Sequence, residues 1–179
     1  MPNALRSTGA ALVMALALIL LAIGNEVLLR DFKVAEGVHW IYLPAGLRMC
    51  YVLVLPVAGA AAIFLSTIYM ALRDPSLSPG LVILNAAVTT SGPVLARVVA
   101  LQRLQLQPNL ENLSTPMLWK LAALFGLFST TLHQAFFTGI GREAAFFQMW
   151  VGDTLGALLC LYGLKGLAIA AKRWWNPSS

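Results

Sequence analysis

The chain has 179 residues and a net charge of +5, with 59% hydrophobic and 11% charged residues, against about 25% charged in ordinary soluble domains. That balance excludes an ordinary soluble fold, and Lys and Arg residues scattered singly between apolar runs exclude the basic stripes and aromatic-basic interleaving of nucleic-acid binders. Cys50 and Cys160 lie inside apolar runs, where a free Cys behaves as a small hydrophobe, so the pattern points to no disulfide framework and no CxxC metal site.

The first apolar run predicts a helix over residues 9–29, behind Arg6. Ala22-Ile23-Gly24 is a tolerable cleavage context for a signal peptide, but the run continues to Leu29, which favours a retained first span. Arg30-Asp31-Phe32-Lys33 ends it, and a half-polar stretch over 34–42 leads into Leu43-Pro44-Ala45-Gly46, with Pro44 suited to a first helical turn. The apolar run over 45–72 is too long for one crossing of a bilayer core of about 30 Å. Pro56 in its middle predicts two short helices, 45–55 and 57–72, packed closely through Gly59 and its alanine neighbours. The alternative is one long, kinked helix.

Arg73 to Gly80, with Pro75 and Pro79, forms a loop by its turn signals. A fourth helix follows over 81–103, expected to bend at Gly92-Pro93. The polar stretch 105–116 ends in Ser114-Thr115-Pro116, a cap followed by proline, and predicts a fifth helix over 117–138. A short loop over 139–143 precedes the last helix, 146–171. The expected fold is one all-α, polytopic membrane domain over 1–179 with six transmembrane helices, or five if 45–72 is a single kinked helix. The lipid bilayer is its first partner.

Positive-inside bias puts Lys172, Arg173, Trp174 and Trp175 on the cytoplasmic side of an inner membrane, together with Arg97, Arg103 and Lys120. Five helices would also bring Arg30, Lys33 and Arg48 inside. Six helices instead direct Glu26, Arg48, Asn85, His133, Gln134, Gln148 and Asp153 toward the external face, and ionisable groups in membranes gather around one another or a wet cavity. Six is therefore preferred, with Trp40 and Trp150 marking the outer interface and Trp119 the inner one.

Trp40, Arg48, Asn85, His133, Gln134, Gln148, Trp150 and Asp153 are thus the ligand-binding candidates. Asp153 is costly at its depth unless it meets a cation, and Arg48 is the best-placed partner for a structural ion pair. His133 shares a stripe with Thr130 and Phe137, and a satisfied buried histidine is the plainer account of it. Two histidines without a Cys or carboxylate at ligand spacing make no metal site, and no cofactor is indicated. Asn85 and Thr89 form a second polar stripe, whereas Glu26 near the end of its helix is expected to snorkel to the interface. Ala11 and Ala15, like Gly152 and Gly156, have small-xxx-small spacing suited to tight helix contacts. No phosphate-binding glycine loop, nucleophile elbow or HExxH is present, so catalysis is not expected.

At Trp40-Ile41-Tyr42-Leu43-Pro44-Ala45-Gly46, and again at Trp150-Val151-Gly152-Asp153-Thr154-Leu155-Gly156, the chain resembles the first class of membrane-associated sensor (MASE) domains. Such domains are normally longer and joined to an effector, whereas this chain ends soon after its last helix, so the resemblance implies a sensory or ligand-binding protein signalling through a separate partner. A second resemblance is to the substrate-binding S components of energy-coupling factor vitamin transporters. Those are small six-helix proteins whose Ala-x-x-x-Ala pattern, matched here by Ala11 and Ala15, docks on an energy module. A non-catalytic assembly subunit is a third expectation.

Overall fold

Proline placement divides the chain into its elements. In the computed structural model, which describes residues 2–35, 38–142 and 145–175 and the side chains of 7–35, 38–142 and 145–167, the chain begins with α1 (Pro2–Leu28) and a 3-10 turn (Arg30–Phe32). Two short strands follow, β1 (Lys33–Ala35) and β2 (Val38–His39), and then α2 (Leu43–Val54), α3 (Pro56–Ala71), α4 (Pro79–Arg103), α5 (Thr115–Gly139) and α6 (Phe146–Trp175). Helices α2 to α5 each carry a proline in their first two positions, where its missing N–H costs no intrahelical bond.

Pro56 resolves the choice between five helices and six. Leu55 leaves the helical region at φ −131° and ψ 74°, and α3 starts immediately after it. The reversal is tight enough that a Cβ on Gly59 would lie 2.6 Å from the Tyr51 carbonyl carbon. Only a glycine lets the first turn of α3 lie on the last turn of α2. Further along, Ile63 of α3 packs on Val52 of α2 and Leu18 of α1.

Pro93, by contrast, does not interrupt α4, which runs unbroken through it. The half-polar stretch after α1, expected only to lead into the next helix, is a two-stranded antiparallel hairpin with Lys33 opposite His39. At the other end of the bundle the 105–114 loop is closed by Asn112, which accepts from the Gln107 N–H and donates to the Gln105 carbonyl.

The main core lies among α2, α4, α5 and α6, built on Met49, Leu53, Leu118, Leu121, Phe125 and Leu161. Its tightest seam joins the β2–α2 entry to α6. A Cβ on Gly152 would strike the His39 carbonyl, one on Gly156 the Tyr42 carbonyl, and one on Gly46 the Gly156 carbonyl. Tyr42 N–H donates to the Gly152 carbonyl across this contact. The Trp40–Gly46 and Trp150–Gly156 segments therefore pack directly on each other, backbone to backbone.

Side-chain polarity is inverted relative to a soluble bundle. Leu12, Val13, Leu16, Leu20, Val57, Ile83 and Leu159 are exposed, whereas Asn25, Ser66, Thr67, Thr89, Thr130 and Asp153 are buried. A soluble protein of this size would bury the first set and expose most of the second. Three helical stretches, Ser7–Leu28, Pro79–Arg103 and Thr115–Gly139, are long and apolar enough to cross a membrane, and α2 and α3 are shorter apolar helices. On α1 the small-residue stripe faces inward. Ala11, Ala15, Leu18 and Ala22 are all buried, and the helix packs chiefly on α3.

Candidate ligand-binding site

Up-and-down alternation of six helices brings the C-terminal ends of α1, α3 and α5 together with the N-terminal ends of α2, α4 and α6. Between these ends lies a cavity of about 240 Å³. Glu26 comes from α1, Tyr42 and Arg48 from the entry and first turns of α2, and Ser66 and Thr67 from α3. Asn85 and Thr89 of α4, His133, Phe136 and Phe137 of α5, and Met149 and Asp153 of α6 complete the wall. Every helix contributes.

Four of the eight ligand-binding candidates, Arg48, Asn85, His133 and Asp153, line this cavity. The other four are not among its lining residues. On α6 the residues facing the cavity are Met149 and Asp153, one turn apart, which turns Gln148 and Trp150 elsewhere. Trp150 points at α5, where its indole N–H donates to the Ala123 carbonyl at 3.4 Å. Gln134 follows His133 by one residue and lies off the cavity-facing stripe, with its Oε1 buried and without a hydrogen-bond partner. Trp40 packs edge-on against Phe147.

The expected Arg48–Asp153 ion pair does not form. The Arg48 guanidinium instead turns back along its own helix, where Nη2 donates to the Tyr42 hydroxyl at 3.3 Å and the group stands 5.4 Å from that ring's centroid. Its Nε is buried without a hydrogen-bond partner. Asp153 is 5% exposed, with Ser129 beside its carboxyl, and Arg48 acts on it across the cavity rather than by contact. The cavity thus holds the Arg48 guanidinium and the Asp153 carboxylate in two separate places, beside the Glu26, Asp74 and Arg142 groups at its edge.

His133 is fully engaged. The Ser129 carbonyl can only accept, so Nδ1 carries the proton and donates to it at 2.9 Å, and Nε2 then accepts from the Thr89 hydroxyl at 3.1 Å. No ring nitrogen remains for a metal. Among the described residues no group of three or more His, Cys, Asp or Glu side chains is placed to hold a metal ion.

Glu26 is not left to snorkel. Its carboxylate meets Lys33 Nζ at 3.3 Å and His39 Nε2 at 3.5 Å, which ties α1 to the hairpin, and the His39 ring stacks on Tyr42. Asn25 Oδ1 accepts from the Leu43 N–H at 3.1 Å and fixes the start of α2 to the end of α1.

The rim carries a second polar group that the sequence did not suggest. Arg142, in the α5–α6 loop, donates to both the Asp74 carboxylate and the Ser76 hydroxyl in the α3–α4 loop. Hydrogen bonds from the Ser76 hydroxyl and from Arg142, with the Ser76 N–H, pull the Asp74 carboxyl down from 3.8 to about 2. Asp74, Leu77 and Arg142 all border the cavity, so this clasp spans its mouth. Ser66 and Thr67 were also missed, although they are the only hydroxyl-bearing aliphatic residues in α3. That pair was the available signal.

Trp119, expected at the inner interface, is exposed at the opposite end of the bundle, where its indole donates to the Tyr162 hydroxyl. The side chains of Lys172, Arg173, Trp174 and Trp175 lie outside the described residues. No protein-family model, curated protein or solved structure matches the chain.

Proposed function

We propose that the chain is a six-span inner-membrane protein that captures a small polar ligand in the cavity at its external end and acts as a sensory or ligand-binding module. The observation that carries this reading is the cavity itself. In a bundle whose outer face is apolar, charged and hydrogen-bonding side chains from all six helices converge on one space at one end. Polar groups inside membranes are costly, and such convergence characterises ligand and ion sites more than helix cement.

Charge favours placing that end outside. Arg97, Arg103, Lys120 and Lys165 lie toward the opposite end, and the helical segments carrying Arg6, Lys172 and Arg173 run to that same end. The cavity end carries fewer cations, namely Arg30, Lys33, Arg48, Arg73 and Arg142. The positive-inside rule then sets the C-terminus in the cytoplasm. Burial of Ala11 and Ala15 within the bundle favours this reading over a transporter S component, whose alanine stripe must stay open for its energy module. No catalytic role is proposed, and a sensory output would pass to a separate membrane or cytoplasmic partner.

The test is the ligand. Protein purified in mild detergent is denatured, and the released small molecules are identified by mass spectrometry against an Arg48→Gln, Asp153→Asn control. A polar metabolite recovered from the wild type and lost from the control supports the reading. Equal small-molecule content in both would overturn it.

A further inference from the structure

We propose that the cavity ligand is a small zwitterion of the amino-acid kind, held with its carboxylate on Arg48 and its ammonium on Asp153. This rests on the ligand-binding reading above and adds to it the ligand's charge pattern.

Three observations lead there. Arg48 and Asp153 share one cavity but make no ion pair with each other. Arg48 keeps a buried Nε with no hydrogen-bond partner. Asp153, nineteen-twentieths buried, has a neutral hydroxyl neighbour in Ser129 and no cation in contact. A charge held in a low-dielectric site without its counterion is costly, and the half-buried Arg48 and the buried Asp153 each lack one.

A singly charged ligand cannot relieve both. A monoanion seated on Arg48 would face the Asp153 carboxylate across the same low-dielectric space, and a monocation on Asp153 would face the guanidinium. A zwitterion supplies both counterions at once and brings no net charge into the membrane. The other charged groups bordering the cavity are already occupied: Glu26 by Lys33 and His39, and Asp74 by Arg142. Nor does His133 compete, because both its nitrogens are bonded.

Size points the same way. At about 240 Å³ the cavity falls below the range of roughly 300–1,000 Å³ that holds drug-sized ligands. Asn85 and the Thr67 hydroxyl, which has no hydrogen-bond partner, remain on the wall for a short polar side chain. Met149 and Phe136 supply its apolar part.

The experiment is a set of thermal-shift and calorimetric titrations on the full-length protein in detergent. The probes are glycine, L-alanine, L-serine and β-alanine, set against the singly charged acetate, propionate, ethylammonium and ethanolamine. At least one zwitterion should bind and raise the unfolding temperature, with every singly charged analogue weaker by roughly tenfold or more, since each lacks one charge-assisted contact. Arg48→Gln and Asp153→Asn should each remove the preference for the zwitterion. Selectivity is read on the wild type, so it stands even if a variant folds poorly. A monoanion or monocation binding as tightly as its zwitterion would overturn the charge pattern while leaving the ligand-binding reading intact. Absence of binding by every zwitterion would also overturn it, and the mass-spectrometric search would then decide the broader reading separately.

Discussion

Gly156→Ala probes the seam on which the cavity depends. The added Cβ would stand 2.6 Å from the Tyr42 carbonyl carbon and closer still to its oxygen, roughly 1 Å inside the normal carbon–carbon contact of about 3.5–4.0 Å. Both partners are backbone, so neither can swing aside, and α6 must move away from the α2 entry. Overpacking of this kind costs about 1–3 kcal/mol, and loss of the Tyr42-to-Gly152 bond adds about 0.5–1.5 kcal/mol. The better helix propensity of alanine returns about 0.5–1 kcal/mol. The net loss is about 0.5–4 kcal/mol, or a fall of roughly 1–16 °C in unfolding temperature for a chain of this size. Thermal unfolding in detergent, followed by tryptophan fluorescence, measures it. Gly163→Ala is the internal control, because a Cβ there meets nothing within 4 Å; it should leave stability unchanged or raise it. Equal unfolding temperatures for the two variants would refute the close-packed seam.

The Thr89–His133 bond makes a second prediction. Thr89→Val leaves a buried histidine nitrogen without its donor and should destabilise by about 1–3 kcal/mol, whereas the double variant Thr89→Val, His133→Leu should recover part of that loss in a double-mutant cycle. The rim clasp gives a pH dependence with a defined sign. The carboxyl of Asp74 is held down at about 2 in the folded chain against 3.8 when free. Its stabilisation is therefore complete above pH 3.8 and is lost as pH falls toward and through about 2. The stability gap between wild type and Asp74→Asn should accordingly be flat from pH 5 to pH 8 and close in acid, measured by unfolding at a series of pH values; a gap that grows in acid would contradict the assignment. Glu26→Gln should loosen the hairpin against α1, seen as faster hydrogen exchange at the β1 and β2 amides with α5 unchanged.

Helix positions were legible because proline and charge punctuate the chain so clearly. Pro44, Pro56, Pro79 and Pro116 fall where helices start, and the polar runs after α1, α3 and α4 fall where they end. The shared end of Arg48, Asn85, His133 and Asp153 followed from alternating helix direction. Which side of its helix each candidate occupies did not, because Gln134, Gln148 and Trp150 sit one residue from the stripe, and helical phase is set by packing that no single segment encodes. The Arg142–Asp74 clasp joins residues 68 apart, and nothing in either loop names the other. The β1–β2 hairpin was hidden by its length, since strands of three and two residues carry no alternation to detect. Small residues at Gly152 and Gly156 announced a tight contact but not its partner.

Ligand capture from outside requires that all six helices cross the membrane with the cavity at the outer face. Single cysteines placed at Ser76 and at Asn109, in a background with Cys50 and Cys160 replaced by alanine, test that directly when intact cells are treated with a membrane-impermeant maleimide. Position 76 should label from outside, and position 109 only after the inner membrane is opened. Labelling of both positions from the same side would mean that α4 does not cross, and would contradict that arrangement.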